Sequence, residues 1–206
     1  MKSLMEDFFD NLGIGEETQI RDWLRDYNIR NYTINNDLTI DVDDNVIIQF
    51  DDTFIQFPEY IQFNKVNGDF ILESLFNLRT LKGCPKVVTR ICEISNCTKL
   101  KNLDGCPENC YTLNCYDNNN LRTLTNMSNY DIKNLRIMNC PKLNSLKTVP
   151  KKLIKFLITN CPKIKSLTGC PKEVNVFYWD NCGINPDIND VVKHCKINNE
   201  YDTLIR

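Results

Sequence analysis

The sequence predicts a leucine-rich-repeat solenoid, a single curved parallel β-sheet wound from short repeats with a mostly irregular convex side and helical caps at both ends. Three observations carry that prediction. Leucines recur at Leu81, Leu103, Leu124, Leu146 and Leu167, in steps of 22, 21, 22 and 21 residues. A second apolar column runs three residues ahead, at Leu78, Leu100, Leu121, Leu143 and Ile164. A third lies three before that, at Cys97, Asn118, Cys140, Cys161 and, one repeat on, Cys182.

Each repeat justifies its own strand and turn. Apolar residues at alternating positions precede every Cys/Asn position: Cys92 and Ile94, Leu113 and Cys115, Leu135 and Ile137, Phe156 and Ile158, Phe177 and Trp179. Alternation is the pattern of a strand with one buried face, and the Gly-Cys-Pro that often follows marks a turn. No unit could bury its apolar face alone, so neighbours must stack. Residues 67–185 form this repeat region.

The flanks read differently. Residues 1–30 form a helical N-terminal region. Leu4, Phe8 and Leu12 share one face there, with Met5 and Phe9 beside them, a segment expected either to pack on the cap or to be free for a partner. Ile20, Trp23, Leu24 and Tyr27 fall at i, i+3, i+4 and i+7, the spacing of an amphipathic helix. Residues 31–66 read as a hairpin-like cap and a first irregular repeat, with Thr33–Val42 pairing with Val46–Phe50 around Asp43-Asp44-Asn45. Residues 186–206 form a C-terminal helical cap and tail, with Ile188, Val191, Val192 and Cys195 at helical spacing.

All eleven cysteines lie between Cys84 and Cys195, and their columns show what they do. Cys84, Cys106 and Cys170 align with Met127 and Val149, and Cys92 aligns with Leu113, Leu135 and Phe156. A zinc ligand could not be exchanged for Val or Met, whereas a free thiol packs as a small hydrophobe. The expectation is filler: no metal, no cofactor and no disulfides, in a reducing, cytoplasmic setting.

No run of residues has the length and apolarity of a membrane helix. No catalytic constellation is visible either. His194 is the single histidine, and three of the seven glycines stand in Gly-Cys-Pro turns rather than in a phosphate-cradling loop. The carboxylate clusters at 41–44 and 50–52 lack the spacing of a calcium loop and read as solvated turns. The expectation is therefore a non-enzyme with no catalytic and no metal-binding residues.

The strings NYTINNDLTIDVDDNV (31–46) and VNGDF (66–70), with the repeated Leu-x-Gly-Cys-Pro, resemble the irregular leucine-rich-repeat proteins encoded by tailed bacteriophages. In its Cys-x-x-Leu-x-x-Leu spacing the chain is also similar to the cysteine-containing leucine-rich-repeat class. The resemblance covers about residues 20–185. It implies a cytosolic, non-enzymatic interaction scaffold made in an infected bacterium, and the expected function is a protein-binding module that engages a host protein and modulates or inhibits it through the concave sheet. Residues 124–133 depart from the pattern, because they lack Gly-Cys-Pro, and predict an irregular turn.

Two surfaces follow from the repeat. Residues between the buried pair of each strand should face outward on the concave side, where Glu93, Asn114, Tyr116, Arg136, Met138, Leu157 and Tyr178 are the candidate partner-binding residues. The alternative is a nucleic-acid-binding edge built from Lys99, Lys101, Arg122, Lys142, Lys163 and Lys165. A virion structural role is a third class. Residues 1–66 hold 14 acids and 5 bases, and residues 67–206 hold 13 acids and 20 bases, so a basic body follows an acidic start.

Overall fold

The computed structural model describes residues 14–198 together with the backbone of 204–205. The Leu4–Leu12 segment lies outside the described residues. Within them the chain is a β-solenoid of seven turns whose strands join one sheet.

An N-terminal helix, α1 (Ile14–Asp26), leads into β1 (Tyr32–Ile34) and β2 (Ile40–Val42). The first turn then continues through β3 (Val46–Gln49), and the second holds β4 (Phe63–Val66) and β5 (Phe70–Glu73). From the third turn on, one longer strand replaces the pair: β6 (Val87–Ser95), β7 (Asn109–Tyr116), β8 (Asp131–Met138), β9 (Lys152–Thr159) and β10 (Glu173–Asp180). A short helix α2 (Ile188–Val192) and two strands, β11 (Lys196–Ile197) and β12 (Leu204–Ile205), close the chain. Every pairing except β1 with β2 is parallel.

The repeated spacing of three has a simple physical origin. The amide of Leu100 donates to the Cys97 carbonyl, and that of Leu143 to Cys140, so each Cys-x-x-Leu closes a four-residue turn. A second such turn follows, with Cys106 donating to Leu103 and Cys170 to Leu167. Its third residue is Gly105 (φ +92°) or Gly169 (φ +92°), where a Cβ would sit 2.8 and 2.4 Å from backbone atoms of the preceding turn. Glycine alone fits that approach. Both turns return the chain inward, and Leu81, Leu100, Leu103, Leu121, Leu143 and Leu146 are fully buried. Each such side chain contributes about 1.5–3 kcal/mol of burial.

At 124–133 the turn is irregular, as the missing glycine predicts. Met127 donates to Thr125 and to Thr148 of the next turn, and the four-residue turn forms later, with Tyr130 donating to Met127.

Two expectations about the ends need correction. The hairpin lies one connection earlier than expected: β1 pairs antiparallel with β2, Tyr32 opposite Val42 and Ile34 opposite Ile40. Asp43–Asn45 is instead a corner between β2 and β3, which pair with β4 and β5 of the next turn. Asn35 and Thr39 close the real hairpin, and Leu38 there takes φ +62°. The C-terminal helix is also shorter than its periodicity implied. Val191 and Cys195 are buried, but Ile188 and Val192 are exposed. The two strands β11 and β12 complete the cap by pairing with β10, which satisfies backbone groups that a helix could not.

At the N-terminal end the cap is aromatic. Ile20, Trp23 and Leu24 of α1 are buried, and Trp23 lies 5.9 Å from Phe57 and 6.2 Å from Phe63 between ring centres. Tyr27 meets Phe54 edge-on, and its hydroxyl donates to Asp51 (2.7 Å).

Candidate interaction surfaces

The parallel register builds the outer sheet face row by row. Ile71, Glu93, Asn114, Arg136, Leu157 and Tyr178 stand in one continuous row, in register from β5 to β10. Ser95, Tyr116, Met138 and Thr159 form the next row, and Thr112, Asn134 and Lys155 the row on the other side. Glu93, Asn114, Tyr116, Arg136, Met138, Leu157 and Tyr178 stand in the first two of these rows. The structure brings them together because adjacent turns stack without a shift from β7 to β10.

This face carries a polar network. Ser95 and Asn114 both donate to the Glu93 carboxylate, at 3.2 Å each. Asn134 donates to the Thr112 hydroxyl (3.1 Å). Burial pushes the Tyr116 hydroxyl pKa up, while the neighbouring Arg136 guanidinium pulls it down. Asn114, Thr112, Asn134 and Thr159 are buried, whereas Glu93, Arg136, Met138, Leu157 and Tyr178 are half-buried. Among the described residues, three buried side-chain atoms lack a hydrogen-bond partner: Asn114 Oδ1, Asn134 Oδ1 and Thr159 Oγ1. All three belong to this face. The repeat spacing puts Asn134 and Thr159 on this face but does not reveal their burial, because nothing in a sequence tells an outward residue crowded by its neighbours from one in free solvent.

The residues of the basic edge, Lys99, Lys101, Arg122, Lys142, Lys163 and Lys165, are all exposed. Lys142 donates to Asn120, the one gap in its column, and Asn120 in turn donates to the Thr98 carbonyl.

The cysteines are free, and ten of the eleven are buried. Among the described residues no group of three His, Cys, Asp or Glu side chains could hold a metal ion. Burial pushes the thiols of Cys97, Cys110 and Cys170 up to about 12, which keeps them protonated and unreactive at neutral pH. In the Cys/Asn column the thiols do more than fill. Cys97, Cys140, Cys161 and Cys182 each donate to the carbonyl two residues back, at 3.3–3.4 Å. Asn118 takes that role with full hydrogen bonds, donating to the Ile94 carbonyl (2.8 Å) and accepting from the Cys97 amide (2.9 Å).

A second ladder precedes it, and sequence reasoning passed over it. Asn96, Asp117, Asn139, Asn160 and Asn181 all have φ between 45° and 56°, the left-handed region that Asn and Asp tolerate best. Asn139 donates to Asp117, Asn160 to Asn139 and Asn181 to Asn160, at 2.6–2.7 Å. The signal was present as an Asn or Asp before each member of the Cys/Asn column.

His194 is exposed, and no helix among the described residues is long and apolar enough to cross a membrane. Comparison of the chain with protein-family models, curated proteins and solved structures finds no match.

Proposed function

We propose that the chain is a non-enzymatic protein-binding module of leucine-rich-repeat type, acting in the cytoplasm, which engages its partner through the outer sheet face. The observation that supports this reading is the row Glu93, Asn114, Arg136, Leu157 and Tyr178, held in register across five strands with four of its five members half-buried rather than packed in the core. Arg136, Met138 and Tyr178 lie in the same and adjacent rows, and these residue types are enriched at the centres of interfaces. The resemblance to phage repeat proteins makes a host protein, modulated or inhibited by this contact, the expected partner.

Replacing Arg136 and Tyr178 together by Ala tests the reading. Both side chains are half-buried on an outer face, so the variant should keep its β-type circular dichroism spectrum and its urea midpoint. Capture of the wild-type partner from host lysate should fall by at least about tenfold, the loss of one moderate anchor. Undiminished capture of the same partner removes the outer face from the function.

A further inference from the structure

The solenoid has a second surface whose composition its fold does not require. At the end of the first turn of each repeat and just after it, the outward positions of five stacked repeats form two columns. One holds Arg79, Lys101, Arg122 and Lys165, with Asn144 as its gap. The other holds Lys99, Lys142 and Lys163, with Asn77 and Asn120 as its gaps. Arg79, one 22-residue step before Lys101, extends the edge by one repeat. Segments 77–80, 99–102, 120–123, 142–145 and 163–166 contain these seven cations and no carboxylate.

None of the seven is in an ion pair among the described residues, although exposed ion pairs form elsewhere, as at Lys152–Glu173 and Arg21–Glu17. Like charges stacked at about 4.8 Å per strand repel one another. A depression of about 490 Å³ opens within the ridge, lined by Arg79, Lys99, Lys101 and Asn120 and by no acid. By contrast, the depression at the strand starts is lined by Asp131, Lys133, Lys152 and Glu173, whose charges already pair with each other.

We propose that this ridge binds the phosphate backbone of a single-stranded nucleic acid, independently of the outer face. Charge density argues for a polyphosphodiester. Seven cations across four inter-strand steps of about 4.8 Å give roughly one charge per 3 Å. In B-form geometry each strand carries one phosphate per about 3.4 Å of helix axis, a linear charge density of the same order. The flanking column is Thr80, Asn102, Thr123, Ser145 and Ser166, all side chains that donate to phosphate oxygens. Thr80, Asn102 and Ser145 accept backbone amides through their oxygens, which leaves their O–H or N–H₂ hydrogens as donors. The ridge residues are cations and amides, so binding is backbone-directed and independent of base sequence.

Fluorescence anisotropy with a labelled oligothymidylate tests the assignment on the full chain. The wild type should bind at low salt, with log affinity falling linearly in log salt concentration. The variant R79Q/K99Q/K101Q should bind at least about tenfold more weakly, with a salt slope reduced by about 2, since each lost contact removes about 0.7. The variant K86Q/K151Q/K172Q loses the same charge from exposed lysines off the ridge and should bind as the wild type does. Three results would overturn the proposal: no binding at low salt, equal losses in the two variants, or equally tight ridge-dependent binding of a labelled polyglutamate of the same length.

Discussion

Cys170 and Val149 occupy one column a turn apart, and both are buried beside a four-residue turn that their amides close. That equivalence makes Cys170→Val nearly neutral, within the about 1.5 kcal/mol of a tolerated apolar exchange. Cys170→Ser buries a hydroxyl where, among the described residues, the free thiol has no hydrogen-bond partner, at a cost of about 1–3 kcal/mol. Urea midpoints of the two variants measure the difference; equal losses, or a larger loss for Val, would mean the sulfur serves as a ligand or cross-link. The cysteine columns were legible because neighbouring repeats substitute for one another and so report what each position demands. What the columns could not reveal was the second duty of Cys97, Cys140, Cys161 and Cys182, whose thiols donate to strand carbonyls.

The unit that repeats is a strand, a left-handed corner and two four-residue turns. Strand and turns announce themselves through apolar alternation and Gly-Cys-Pro. The corner is quieter, because Asn and Asp are common surface residues and only their recurrence marks the left-handed column. Asn160 tests it. Asn160→Gly keeps the favourable conformation at φ 53° but loses the bonds to Asn139 and Asn181. Asn160→Ala loses both and should be less stable than the Gly variant by about 1–2 kcal/mol, measured by thermal or urea unfolding. If Ala were the milder change, the conformational role of the ladder would fail. The ends were less legible than the repeats. Acidic Asp43–Asn45 resembles a hairpin loop in composition, yet the pairing partner lies a full turn away, and a non-local contact of that kind leaves no local signature. Likewise Ile188 and Val192 have helical spacing but no neighbouring layer to cover them, so periodicity overstated the C-terminal helix.

Over the whole molecule, stacking turns a one-dimensional repeat into two separate surfaces. The outer sheet face collects one residue per strand in each row, and the basic ridge collects one or two cations per repeat from the first four-residue turn and the residues just after it. The rows of the outer face could be written from the repeat alone, since register follows from a constant period. Which members of those rows sit buried with unpaired acceptors could not, because that depends on the side chains of adjacent turns. The central claim is that the outer face, rather than the ridge, meets the protein partner. Photo-crosslinking tests it most directly, with a photoreactive phenylalanine analogue placed either at Leu157, between Arg136 and Tyr178 in the outer row, or at Asn144, within the ridge. In host lysate the position-157 protein should give one dominant protein adduct, suppressed when unlabelled wild type is added in excess, and the position-144 protein should not form it. That same adduct arising from position 144 and not from position 157 would contradict the account.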